Sequence, residues 1–404
     1  MVVISKYMKS LLVKLGKAVS IIKQDGLARG LSRVFKAFFL LFGKVGEGDI
    51  LFVTGGAAGD STRYRAWHVK EELELHNFKC SKTVQDNPFL PSYADKFKIF
   101  IFHRVLYTPG VAKLIDKIKS QNKRIVFDTD DLLFDPKYFS QSDYAKKINA
   151  FEKKYYENGL SSQILTDSYV KVCTTTTSFL ADILKSYGKN VFIVRNKLSI
   201  KDLKIVEAIE NLKLKIKNSD KVRIGYFSGT FSHNKDFASI NGVLMRIMEK
   251  HPQVELVLVG PLNVESQLVQ KWRDRIIQLP FVPRDRHFEN ISKVDINLSP
   301  LERDNPFCEA KSELKFFEAG ILGIPTVAVK NRTFSEAIND GINGFLAENE
   351  EEWFSKLEKL ILNKDLRKRM GEKAREKSLL DYTTKNSHNE EYYSYLRECI
   401  TRKI

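Results

Sequence analysis

Three acids in four positions, Asp128-Thr129-Asp130-Asp131, with Asp135 one turn further on, form a dense reactive cluster. A carboxylate pair at this spacing offers hard oxygens to Mg²⁺ or Mn²⁺ and a diphosphate. The same residues can cap a helix or hold the hydroxyls of an acceptor sugar. His103-Arg104 follows an apolar run and pairs a ring nitrogen with a permanent cation. Gly55-Gly56-Ala57-Ala58-Gly59 ends another apolar run and leads into Ser61, Arg63, Tyr64 and Arg65. Such a turn lets backbone approach a ligand, Ser61 can cap the helix that follows, and an arginine at its start can hold an anion. It is not a Walker loop, because Asp60 precedes Ser61 where lysine is required. Further along, Lys315 and Glu318 share one face of a helix that begins near Ser312. Free N–H groups at that start can hold a diphosphate, lysine can neutralise it, and the carboxylate can accept from both hydroxyls of a ribose. An ordinary surface Lys–Glu pair has the same spacing.

The elements that would position these groups follow one grammar twice. Asp49–Thr54, Lys98–Phe102, Arg124–Phe127 and Val170–Thr174 read as short strands, with helical stretches such as Ala112–Ser120 between some of them. Residues 200–220 are lysine-rich and amphipathic. The pattern then restarts: Val222–Phe227 runs into Ser228-Gly229-Thr230, a helix follows over 236–250, and Val254–Val259, Asp295–Leu298 and Thr326–Val329 supply further strands. The expected fold is α/β, with two doubly wound, Rossmann-like domains whose strand ends frame a cleft. The boundaries read as an extension over 1–46, a first domain over 47–200, a linker over 201–220, a second domain over 221–380, and a final helix over 381–404 that can cross back to the first domain.

Lysine and arginine number 66 against 50 acids, a net charge of +16 over 404 residues. Residues 1–46 hold nine basic side chains and one acid, half of that excess. Ile4, Met8, Leu11, Leu15, Val19 and Ile22 line one helix face with lysines largely off it, the pattern of an interfacial helix drawn to anionic headgroups. A helix docked on the protein's own surface shares that pattern. No interleaved aromatic and basic platform accompanies the charge, which argues against nucleic acid as a partner. Four scattered cysteines, with no C-x-x-C pair, exclude a zinc ribbon and a disulfide framework and fit a cytoplasmic setting.

The stretch Asn305–Gly320, then Gly323-Ile324-Pro325 and Asp340-Gly341-Ile342-Asn343-Gly344, resembles the retaining GT-B glycosyltransferases, the large group that includes sucrose synthases and many bacterial polysaccharide enzymes. The Glu-Ala-x-x-x-Gly-x-Pro pattern falls on Glu318, Ala319, Gly323 and Pro325. The resemblance implies the GT-B fold and a nucleoside diphosphate sugar as donor, with Glu318 on its ribose. It implies a Gly-Arg-x-x-x-x-Lys turn on the diphosphate, which falls here on Gly229, Thr230 and Lys235, so that threonine stands where the family has arginine. The family's first glutamate falls on Ala310, beside Glu309. Val282 and Pro283 match its nucleobase loop. The donor-binding set is then Gly229, Thr230, Lys235, Val282, Pro283, Ser312, Lys315 and Glu318. The candidates for the reaction are Lys235, Glu309, Lys315, Asp130 and His103, and those for the acceptor side are Gly56, Arg63, Arg104, Asp128 and Asp131.

The resulting expectation is a glycosyltransferase that passes a sugar to a glycan or lipid-linked acceptor in surface polysaccharide synthesis, peripheral at the inner face of the cell membrane. No cofactor is expected, with a divalent metal as the less favoured alternative. A non-catalytic binding or scaffold protein and a nucleotide-sugar epimerase are the rival readings. Full-length protein is expected to sediment with anionic vesicles, and deletion of residues 1–46 to weaken this; equal recovery of both proteins in the supernatant would refute the interfacial helix.

Overall fold

The computed structural model describes residues 30–31, 35, 41–57, 59–140, 161–213, 220–229 and 233–401. The basic extension therefore lies largely outside the described residues, as do Ala58 and Thr230.

Two six-stranded parallel sheets organise the chain. The first contains β1 (Ile50–Thr54), β2 (Cys80–Val84), β3 (Ile99–His103), β4 (Arg124–Thr129), β5 (Val172–Thr175) and β6 (Asn190–Ile193), in the order β2-β1-β3-β4-β5-β6. The second contains β7 (Val222–Phe227), β8 (Val254–Val259), β9 (Ile276–Leu279), β10 (Ile296–Ser299), β11 (Thr326–Val329) and β12 (Phe345–Ala347), in the order β12-β11-β10-β7-β8-β9. Both are doubly wound orders, with switch points at β1/β3 and β7/β10, where such sheets bind ligands beyond their strand ends.

Alternation along the strands explains the first domain. Leu51 and Val53 of β1, with Phe100 and Phe102 of β3, enter one core cluster; Ile50, Phe52, Ile99 and Ile101 enter the cluster on the opposite face. Both faces are dry, which is why these strands read as unbroken apolar runs. The second face is covered by a helical run over 60–75 and by Tyr392, Tyr393 and Leu396 of the helix Glu390–Thr401. The end of the chain thus packs on the first domain. Between the domains, Leu198 and Thr383 pair as an isolated bridge, with Leu198 N–H donating to Tyr382 O at 2.8 Å and Thr384 N–H to Leu198 O at 2.9 Å.

Local boundaries differ from the sequence reading where side chains have other partners. The second-domain helix begins at Leu314 with Glu313 at its cap, two residues after Ser312. Ser61 makes no capping bond; its hydroxyl turns instead to His103. Neither Asp130 nor Asp131 caps a helix. Asp131 accepts from Leu133 N–H in a local turn, and Asp135 caps the short helix Pro136–Phe139. Among the described residues no helix is long and apolar enough to cross a membrane.

The helix Leu314–Gly320 is set by contact with the long helix Lys364–Asp381. There Gly371 lies so close that a Cβ would strike the carbonyl oxygen of Gly323. Gly371→Ala would gain up to about 1 kcal/mol of helix propensity, but overpacking backbone costs about 1–3 kcal/mol. The variant is therefore expected to unfold at a lower temperature than wild type; an unchanged or raised melting temperature would show that the two helices separate without cost.

Candidate active site

On the first domain, the end of the sheet is held by a row of polar side chains in register. His103 of β3, Asp128 of β4 and Thr174 of β5 are neighbours across the strands. Asp128 is 2 % exposed and its two oxygens are taken: Arg65 grips both, at 2.5 and 3.2 Å, and the Thr174 hydroxyl donates at 2.6 Å. His103 Nδ1 lies 2.8 Å from the same carboxylate, approached off the N–H axis, and Nε2 lies 2.8 Å from Ser61 Oγ. Burial would raise the Asp128 carboxyl, but Arg65 and then His103 outweigh it and hold it well below the usual range. Arg65 can reach Asp128 because the helical run over 60–75 widens into a π turn at Arg63–His68, which turns Tyr64, Arg65 and His68 inward together.

The rest of the acidic cluster is paired chiefly with Arg104, and Asp130 also meets the Ser61 hydroxyl. Arg104, at φ 50°, donates to Asp130 at 2.8 Å and to Asp131. Gly56 offers its carbonyl to Thr54 and Thr62, and Arg63 pairs with Asp60 on the surface at 2.6 Å. Among the described residues no group of three or more His, Cys, Asp and Glu is placed to hold a metal ion.

On the second domain, the lysines stand out. Lys311 pairs with Asp236 at 2.5 Å and lies 3.4 Å from His233 Nδ1. Lys315, one turn further, has no acidic partner among the described residues and lies 5.6 Å from the centre of the Tyr226 ring. Burial, and then the charge of Lys311, lower the Lys315 ammonium to about 8. Burial and Lys315 lower His233 to about 4. Two ammonium groups stand beside the β7/β10 switch point and only Lys311 is paired, with Asp236, an excess of positive charge suited to an anion. Lys235 is exposed, 4.0 Å from Glu302, and Gly229 is exposed at the end of β7. Glu309 ends the helix Pro306–Glu309 and lines a cavity with Glu302, Arg303, Asp304, Lys330 and Asn331. Its neighbour Ala310 is buried in a core cluster of the first domain. Val282 and Pro283 precede the helix Arg284–Ile291, Pro283 at its cap, and Ser312 Oγ accepts from Asn196 at 3.0 Å.

Glu318 is where the two domains meet. Its Oε1 accepts from the Tyr64 hydroxyl at 2.5 Å and from Arg284; its Oε2 is 3.0 Å from His287 Nε2. Arg284 also donates to the Tyr64 oxygen at 2.5 Å and to Asp202 at 3.1 Å. A ribose reaching Glu318 must displace one of these groups. Burial would raise the Glu318 carboxyl, but Arg284 and then His287 keep it well below its ordinary value. Tyr64, Arg284, His287 and Asp202 escaped the sequence reading. Arg284 directly after Val282-Pro283, with His287 one turn on and Tyr64 between two arginines, was the signal available.

The fold built on these two doubly wound sheets is shared with solved structures. The structure is similar to a glycosyltransferase from Rickettsia africae (TM-score 0.58, 15% identity, 89% of this chain and 100% of that one). It is also similar to sucrose-phosphate synthase from Thermosynechococcus elongatus (0.57, 13%, 87% and 100%) and to Anabaena HepE in complex with UDP (0.55, 15%, 87% and 100%). The chain has the GT-B fold. Residues 208–377 of this GT-B chain match the family model described as glycosyl transferases group 1. A search of the curated proteins found no match.

Glu318→Gln leaves Arg284 buried with Asp202 as its remaining acid, and removing one partner of a buried pair costs about 3–5 kcal/mol. A carboxyl held below its unfolded value stabilises fully above that value and loses this as pH falls through the folded one. The destabilisation is therefore expected at pH 7 and should shrink below about pH 4, as read by thermal unfolding at both pH values. A deficit of equal size at pH 7 and pH 3 would remove Glu318 ionisation from the stability of the protein.

Proposed function

We propose that this protein transfers a sugar from a nucleoside diphosphate sugar to a hydroxyl acceptor. The observation that carries the reading is the unbalanced Lys311–Lys315 charge beside the β7/β10 switch point, within the segment that matches the family model. Breaking an anomeric C–O bond leaves negative charge on the diphosphate, and fixed cations stabilise it without reorganising. Lys315, whose ammonium has no acidic partner among the described residues, is assigned to that diphosphate, with Lys235 at its open side. Glu309, facing the cavity beyond β10 and β11, is assigned to the donor sugar. Gly56, Arg63, Arg104 and Asp131 line the acceptor side. Glu318 is assigned to the ribose, with Tyr64 giving way when donor binds.

Retention of anomeric configuration is the outcome that the motif order implies. Asp128 is not the base that inversion would call upon, since Arg65, Thr174 and His103 enclose it. Surface polysaccharide synthesis at the inner membrane face, with residues 1–46 on anionic lipid, completes the proposal. UDP is the first nucleotide to test, because Anabaena HepE has been solved with UDP and with UDP-glucose.

UDP at 100 times its dissociation constant is expected to add about 2.7 kcal/mol of stability, with or without EDTA. Lys315 titrates near 8 in the free protein, and a bound diphosphate raises it. Binding is thus full below pH 8 and weakens above it, by up to about tenfold per pH unit. Lys315→Met should lower turnover by about 2–4 kcal/mol of transition-state stabilisation and flatten that pH dependence. A nucleoside diphosphate response lost on adding EDTA, or no response to any nucleotide, would refute the assignment; the latter favours a scaffold, in which Tyr64 permanently occupies Glu318.

A further inference from the structure

We propose that Tyr64 is a built-in competitor for the donor: its hydroxyl holds the place of a ribose hydroxyl on Glu318, so that the resting protein is latched and donor enters only where the first domain has let go. The inference rests on the assignment of Glu318 to the ribose and deepens it with a control on that site. Three observations carry it. Tyr64 belongs to the first domain in sequence yet packs in the core cluster of the second, and among the buried residues described there it is the one that precedes Leu198. Its ring, 3 % exposed, meets Phe317 edge-on at 6.3 Å and faces the Arg284 guanidinium at 5.2 Å. Its hydroxyl donates to Glu318 Oε1 at 2.5 Å and accepts from Arg284 at 2.5 Å, one bond given and one received, as a sugar hydroxyl can do.

Charge decides which partner of Glu318 gives way. Arg284 balances both Glu318 and Asp202, and its departure strands two buried carboxylates. His287 lies one turn along the same helix, Arg284–Ile291, and stays with the second domain. The phenol is neutral, so a ribose hydroxyl replaces it bond for bond and leaves no charge uncompensated. Arg65, next in the chain, is fixed on Asp128 of the first sheet, so withdrawal of Tyr64 parts the two domains at this point. The pairs Arg332–Asp182 and Ser178–Glu336, which part with it, are exposed and offer little resistance. The bridge between Leu198 and Thr383 and the buried Lys197–Glu72 pair remain as the hinge side. The apparent dissociation constant for donor is then the intrinsic one divided by the unlatched fraction.

The test compares wild type with Tyr64→Phe, which keeps the ring and its packing and removes the hydroxyl. Titration calorimetry with UDP, and with ADP, GDP and CDP where UDP does not bind, is expected to give a dissociation constant at least about tenfold lower in the variant. Loss of a merely structural contact would not tighten binding. In stopped-flow mixing, the association rate should rise with nucleotide at least about tenfold more steeply in Tyr64→Phe, because more of the free protein is unlatched. Hydrogen exchange on wild type alone supplies a measurement that does not depend on the variant: the amides of Arg63–His68 should exchange faster with nucleotide bound, since Tyr64 has then left its seat. An equal or higher dissociation constant in Tyr64→Phe, or slower exchange over Arg63–His68 on binding, overturns the latch and leaves the transferase reading standing. Failure of wild type to bind any of the four nucleoside diphosphates overturns the transferase reading and the latch with it.

Discussion

Buried charge between two domains must be matched on both sides, and most of this architecture is arranged around one such match. Glu318 of the helix Leu314–Gly320, Arg284 directly after Val282-Pro283, Asp202 of the helix Ile200–Lys213 and Tyr64 of the first domain form one connected set. Removing a charged partner leaves an opposite charge under-compensated in a dry interface, which costs far more than an exposed pair contributes. The set therefore fixes how the sheets face each other. A second set, Glu72 with Lys197, Ser387 and Tyr393, repeats the device nearer the chain's return crossing. Arg332–Asp182 and Ser178–Glu336 join the domains elsewhere, at exposed positions where solvent weakens them.

Within that frame the domains divide the chemistry by sign. The first presents carboxylates already neutralised by arginine, and a hydroxyl and imidazole between them. The second presents lysines in excess of acid. Such a division suits a reaction that must hold an anionic leaving group on one wall and handle a proton on the other. Lys315 fits this division: burial first, and then the charge of Lys311, depress its ammonium, and an arriving anion would offset both.

The sheets were legible because both faces of each are buried, so β1, β3, β4, β7, β8 and β11 appear as apolar runs ending in glycine or charge. β2 and β6 were not, since Cys80–Val84 and Asn190–Ile193 are mixed sequences at the sheet edges, where one side needs no apolar partner. The lysine–glutamate face at 315 and 318 was visible from spacing, but the occupants of Glu318 were not. Tyr64 lies 254 positions away, and no local rule predicts that its hydroxyl crosses the cleft. Ser61 shows the opposite failure. A serine at a helix start normally caps it, but the cap here falls on Gly59, and Ser61, inside the first turn, meets His103 of β3 instead. The π turn that brings Tyr64 and Arg65 inward together has no signature that propensity captures.

The packing of Glu390–Thr401 against β3 has a consequence for how the protein is made. One face of the first sheet is closed by Tyr392, Tyr393 and Leu396, which are synthesised after the whole second domain. On the ribosome the first domain must wait, with an apolar surface open, while a complete second domain emerges and folds. The domain that begins first is therefore finished last.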